Sequence, residues 1–159
     1  FIFILVLGLL FPGRGIVPVQ NATINDWNPH SYWYFPWGKS GVHKGIDIFA
    51  KAGMPVLAST TGIVLFNGNI KLGGNVVAVL GPKWRIQYYT HLQSADVHFL
   101  EWVSQGEAIG RVGTTGNAAG KPAHLHFSVI TLIPNPMEIT TETQGWQRMF
   151  YMHPARTFK

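Results

Sequence analysis

Residues Pro122–Val129 read PAHLHFSV, and the alternation inside that stretch decides how the chain folds. Side chains of a strand point to opposite faces in turn, so residues two apart share a side. His124 and His126 therefore project together, with Cα atoms about 7 Å apart. Leu125 and Phe127 point the other way. The apolar pair needs a core behind the strand. The imidazole pair is costly to bury and needs partners in front of it.

The rest of the chain supplies companions for that strand. Short runs with strand character recur at GIDIF (45–49), PVLAS (55–59), GIVLFN (62–67), NVVAVL (75–80), RIQYYTHL (85–92), EAIGRVG (107–113) and HLHFSVI (124–130). Gly, Asn, Pro and Asp punctuate them, as in AGMP, NGN, LGGN, GPK and TTGNAAGKP. Runs of this length with turn residues between them predict an antiparallel all-β fold. A short helical turn is expected from Ala95 to Trp102. The 159 residues suffice for one domain with a real core, and 47% hydrophobic against 12% charged residues excludes disorder. There is no cysteine, so any metal must be held by histidines and carboxylates.

The formal charge of +5 suits an anionic partner such as a cell wall or a membrane surface. The Lys and Arg residues are scattered without a run, so nucleic-acid binding is not expected. The chain divides into a hydrophobic leader (1–14), a loop-rich approach segment (15–37), a main domain (38–133) and a C-terminal tail (134–159) without clear pattern. The leader opens with FIFILVLGLLF, eleven residues against the roughly 20 that span a bilayer. With no initiating Met, it reads as the end of a membrane anchor or the apolar core of an export signal, and the chain as a fragment. A buried strand is the competing reading. The aromatics Trp27, Tyr32, Trp33, Tyr34, Phe35 and Trp37 are expected to pack the approach segment against the domain rather than to line a groove.

Two more patterns join the histidine pair. GVHKGIDIFA carries His43 and Asp47, whose spacing of four puts both on one face of a strand or a helix. Gly45 and the apolar alternation after it favour extended structure. Asp47 lies between Ile46 and Ile48, where a buried carboxylate needs a cation or strong hydrogen bonds. QYYTHLQS places His91 at the end of an aromatic strand. Imidazole nitrogen and carboxylate oxygen are ordinary zinc donors, and a catalytic zinc takes three protein ligands and keeps one position open. Two His and one Asp would leave such a metal a good Lewis acid. The two histidines left over suit a general base and a stabiliser of a developing oxyanion. The H-E-x-x-H motif with its glutamate base is absent. Spacing leaves open which of His124 and His126 binds metal. His30, His98 and His153 have no partner motif and are expected to be non-catalytic.

The series HKGIDI, Gly74-Asn75 before an apolar strand, YTHL, IGRVGTTGN and HLHF runs in that order over about residues 38 to 130. It resembles the lysostaphin-type (LytM-like) zinc metallopeptidases. The resemblance implies a two-layer antiparallel β-sheet core with loops walling a narrow groove. It implies one Zn2+ per domain, held by His43, Asp47 and His126, with His91 and His124 as catalytic histidines beside it. It implies an endopeptidase cutting cross-bridge or stem peptides of peptidoglycan, which with the apolar run predicts an exported protein of the bacterial envelope, periplasmic, anchored through that run, or extracellular. It says nothing of oligomeric state. Two departures bear on support and groove shape: Ser128 follows HLHF where many relatives have Glu, and Lys121-Pro122-Ala123 replaces a short Gly-Pro lead.

Other classes compete. A catalytically silent relative that binds wall or activates an amidase typically lacks ligand residues, and all five positions are filled here. A histidine phosphocarrier shares H-x-G-I-D but has no use for HLHF. A cupin needs a Glu four or five residues beyond H-x-H, where this chain has Ile130 and Thr131.

Overall fold

The computed structural model describes residues 8–158. Its strands are β1 (Ile46–Phe49), β2 (Pro55–Leu57), β3 (Gly62–Ile70), β4 (Gly74–Gly81), β5 (Arg85–Leu92), β6 (Ser94–Ala95), β7 (Trp102–Val103), β8 (Ala108–Arg111), β9 (His124–Thr131) and β10 (Tyr151–Met152). The larger sheet runs β1-β9-β5-β4-β3-β7, with β10 also paired to β9, and the smaller runs β2-β8-β6. The pairings are antiparallel throughout. The fold is therefore the antiparallel, mostly β architecture that the strand spacing predicts.

Alternation builds the core. Ile46, Ile48, Tyr89, Leu125 and Phe127 are fully shielded on the inner face of β1, β5 and β9. Val77 and Val79 of β4 join them, and Val56 and Ile109 close the core from the smaller sheet. Burying each such aliphatic or Phe side chain contributes about 1.5–3 kcal/mol. Tyr89 brings a hydroxyl into this core, and the Ser59 N–H donates to it at 2.8 Å.

Register then sets the outer face. Asp47 pairs with His126 across β1 and β9, Phe49 with His124, and Thr90 with His126 across β5 and β9. Strand partners lie side by side on one face, so Asp47 and His126 meet in front of the sheet while Ile46, Ile48, Leu125 and Phe127 pack behind it.

The helical turn expected from Ala95 to Trp102 is not formed. β6 and β7 occupy its two ends. Contacts with other strands hold the residues between them: Asp96 N–H donates to Ile109 O at 3.0 Å and Leu100 N–H to Val64 O at 2.8 Å. Asn67 Nδ2 donates to Val97 O at 2.6 Å, and Val97 is buried. Tertiary anchoring outweighs a weak local preference for helix.

Segments near both ends of the described residues pack on the sheet. Gly15 bridges to Phe158, and the Phe158 ring lies between Trp27 at 5.8 Å and Phe127 at 6.0 Å. Trp33 Nε1 donates to Thr143 O. The aromatic cluster of the approach segment divides. Trp27 and Trp33 are buried as packing residues, while Tyr34, Phe35 and Trp37 remain exposed. Most of the apolar run, residues 1–7, lies outside the described residues. Among the described residues no helix is long and apolar enough to cross a membrane.

Candidate metal centre and catalytic groove

The outer face of β9 brings His126 to Asp47 of β1, with His126 Nδ1 at 2.8 Å from Asp47 Oδ1. His43 arrives from outside the sheet. Its segment pairs with residues 33 and 34 through Trp33 N–H to His43 O and His43 N–H to Tyr34 O. The chain then bends at Gly45 and enters β1. A side chain at Gly45 would sit 2.4 Å from Phe127 O and 2.6 Å from Ser128 Oγ, so glycine is needed for this close approach. The bend swings His43 Nε2 to 3.0 Å from Asp47 Oδ1 and 2.9 Å from His126 Nδ1.

Three atoms that can each offer a lone pair thus face one another. Hydrogen bonds on the far sides of the rings explain why. His43 Nδ1 meets Ser31 O at 2.9 Å. A carbonyl can only accept, so Nδ1 carries the proton and Nε2 is left bare in the neutral ring. His126 Nε2 meets Ser128 Oγ at 3.0 Å. That hydroxyl can accept from Nε2–H, which leaves Nδ1 bare. Burial pushes the His126 imidazolium down, outweighing the stabilising Asp47 carboxylate beside it, so the ring is neutral. Burial alone would push the Asp47 carboxyl up, but whenever His126 or His43 carries a proton toward it, the resulting hydrogen bond and charge hold it well below the usual range. Two imidazole nitrogens and one carboxylate oxygen converging on a point are a donor set that a divalent cation fits.

The other two histidines flank this cluster. His124 Nε2 lies 4.0 Å from Asp47 Oδ2, and the His91 and His124 rings meet edge to face at 5.1 Å. His91 Nδ1 donates to Thr115 O at 2.9 Å and His124 Nδ1 to Pro122 O at 2.8 Å. Backbone carbonyls therefore fix both tautomers with Nε2 bare. Burial, then the charges of His126 and His124, push His91 down to about 4, so it too is neutral near pH 7. His91 takes a left-handed φ of 64°, a costly conformation for a non-glycine residue that is tolerated where surroundings enforce it. Those surroundings are the turn before β4 and the 115–116 loop. Thr115 Oγ1 donates to Leu92 O and accepts from Asn75 N–H, both at 2.9 Å. A Cβ on Gly74 would lie 2.2 Å from Thr115 Oγ1, which gives the Gly-Asn pair and TTGN a shared purpose.

All five residues singled out in the sequence meet here. His30, His98 and His153 do not. The Ser31, Thr115 and Pro122 carbonyls escaped sequence reading, because a carbonyl leaves no side-chain signal. Aromatic rings rim the cluster: Trp37 stacks on His43 at 4.1 Å and Phe49, 48% exposed, lies 5.4 Å from His124.

The model of peptidase family M23 matches residues 41–138, more than half of the chain and the whole of this cluster. The chain belongs to peptidase family M23.

Other comparisons agree with that membership. Over 102 residues the chain is 33% identical to the peptidoglycan DD-endopeptidase ShyC of Vibrio cholerae, covering 64% of this chain and 24% of that protein. It is 32% identical to the L-Ala–D-Glu endopeptidase of Bacillus subtilis (65% and 35% covered) and 33% identical to lysostaphin of Staphylococcus staphylolyticus (62% and 21%). The chain thus spans about a fifth to a third of these relatives. Among solved structures it is similar to the catalytic domain of lysostaphin from Staphylococcus simulans, with a TM-score of 0.64, 26% identity, and coverage of 83% of this chain and 92% of that one. The M23 fold accounts for the antiparallel sheets, and within it His43, Asp47 and His126 lie close enough together for a metal ion to fit among them, in a family that is zinc-dependent.

Proposed function

We propose that this M23 domain is a zinc endopeptidase that hydrolyses peptide bonds of bacterial peptidoglycan. His43 Nε2, Asp47 Oδ1 and His126 Nδ1 hold the metal, one Zn2+ per domain. When bound, zinc supplies Lewis acidity at this point. The observation that carries the proposal is the convergence of these three atoms, 2.8–3.0 Å apart, beside two further imidazoles whose Nε2 atoms are bare.

His91 and His124 handle protons. One takes the proton of the attacking water at its Nε2 and returns it to the leaving amine nitrogen. The other, on taking up a proton from solvent at its Nε2, steadies the negative charge on the carbonyl oxygen. Their Nδ1–H bonds to Thr115 O and Pro122 O keep the rings aimed throughout. The exposed rings of Trp37 and Phe49 give the substrate backbone two walls to lie between. The relatives are named for different bonds, so the proposal covers cross-bridge and stem peptides alike. An envelope location and anchoring through the apolar run belong to the same proposal.

The test combines metal analysis with mass spectrometry of fragments released from purified peptidoglycan. The zinc-loaded protein is expected to release new amino termini. The His124→Ala variant is expected to bind stoichiometric zinc and release none. Zinc-loaded protein that leaves peptidoglycan intact sinks the proposal.

A further inference from the structure

We propose that the end of the sheet opposite the histidines is a docking face for an anionic lipid bilayer. Four cations from three separate parts of the chain gather there. Arg14 comes from the end of the leader, Lys83 from the turn joining β4 to β5 and Arg85 from the start of β5, and Arg156 from the C-terminal 3₁₀ turn. Together they line a cavity of about 340 Å³, with no acidic residue among the described residues that line it. Lys83, Arg85 and Arg156 also line an adjoining cavity of about 240 Å³, where Glu138 is the acidic group. Among the described residues, the ion pairs at the histidine cluster and Arg148–Glu142 involve none of the four.

Two of these cations are tethered by neutral carbonyls. Lys83 Nζ donates to Leu9 O at 3.0 Å and Arg85 Nη1 to Gly13 O at 3.4 Å. The turn that presents them is strained, with left-handed φ values of 60° at Lys83 and 55° at Trp84. Neither residue is suited to that conformation, and such strain gathers where a site needs it. A cluster of like charges that forms no ion pair among the described residues selects an anionic partner.

Apolar side chains beside the cations point to a bilayer rather than a soluble anion. Leu10 is 72% exposed, Phe11 60% and Leu132 53%. Leu9 and Ile133 share the smaller cavity with Lys83 and Arg85, and Leu132 N–H donates to Trp84 O. Cations among exposed apolar residues make the surface that settles at a headgroup boundary. The seven apolar residues FIFILVL precede this patch in the sequence. Orientation follows from register. Arg85 pairs with Thr131, and Thr90 with His126, five residues further along β5, or about 17 Å at the rise of a strand. Docking by the basic end leaves the histidine groove facing away from the lipid. The inference does not depend on hydrolysis.

The full 159-residue chain is sedimented with phosphatidylcholine vesicles, with and without phosphatidylglycerol. An apolar run inserts alike in both, so the difference isolates the cations. Each Lys or Arg at an anionic surface is worth about five-fold in partitioning. The parent is expected to favour phosphatidylglycerol vesicles by about 600-fold at low salt, and less as salt screens the charge. Changing Arg14, Lys83, Arg85 and Arg156 together to Gln should abolish that preference. The double variant Arg14→Gln, Arg156→Gln alters two exposed positions, should melt like the parent, and should lose about 25-fold. Equal binding of the parent to both vesicles overturns the proposal, as does a folded double variant that keeps the full preference. Complete displacement from vesicles by soluble poly(glycerol phosphate) also overturns it, assigning the face to a soluble phosphodiester polymer.

Discussion

Replacing Ser128 by alanine removes the hydroxyl that meets His126 Nε2 at 3.0 Å. To bind metal through Nδ1, the neutral His126 ring must carry its proton on Nε2, which points at Ser128, a residue only 3% exposed. Without the hydroxyl, that N–H faces a methyl group. An unsatisfied buried donor costs about 1–3 kcal/mol. The metal-free protein avoids the cost by carrying the proton on Nδ1, which lies 2.8 Å from Asp47 Oδ1. The penalty therefore falls on the loaded state, and zinc affinity should drop about ten-fold, equivalent to about 1.4 kcal/mol, or somewhat more. Competition against a chromophoric zinc chelator at fixed pH measures this directly. The metal-free Ser128→Ala protein should melt close to the parent, and Ser128→Thr, which keeps the hydroxyl, should retain most of the affinity. If folded Ser128→Ala binds zinc as tightly as the parent, Ser128 does not support His126 and the tautomer reasoning fails.

His43→Ala and Asp47→Asn should each lose stoichiometric zinc, whereas His91→Ala should keep it while hydrolysis slows by about 10²–10⁴-fold; metal analysis beside a cell-wall digest reads both. Gly45→Ala drives a Cβ to 2.4 Å from the Phe127 carbonyl oxygen; overpacking of this kind costs about 1–3 kcal/mol in urea unfolding, and the displaced bend should weaken zinc binding as well. Phe158→Ala removes the ring between Trp27 and Phe127; as a half-buried Phe it should cost about 2 kcal/mol, below the range for full burial, and an unchanged urea midpoint would show that the tail does not brace the sheet.

The sequence by itself determined the class of fold and the short list of chemical residues. Strand alternation is a local property, so HLHFSVI and RIQYYTHL announce their faces without help from the rest of the chain. Asp47 between two isoleucines likewise reveals an expensive carboxylate from its neighbours alone. The weak pattern from Ala95 to Trp102 misled because Val64, Asn67 and Ile109, far away in the chain, anchor it. The approach-segment aromatics could not be sorted either, since burial of Trp27 depends on Phe158 at the other end of the chain. At the histidines, the tertiary structure decided the tautomers. Which nitrogen stays bare depends on what the opposite nitrogen meets, and those partners are carbonyls of Ser31, Thr115 and Pro122 and the Ser128 hydroxyl. A backbone carbonyl has no spelling in the sequence. The basic end is the same case: Arg14, Lys83, Arg85 and Arg156 are scattered cations until β-sheet register and the packing of both chain ends bring them to one face. Periodicity is written along the chain, but hydrogen-bond partners and charge clusters exist only across it.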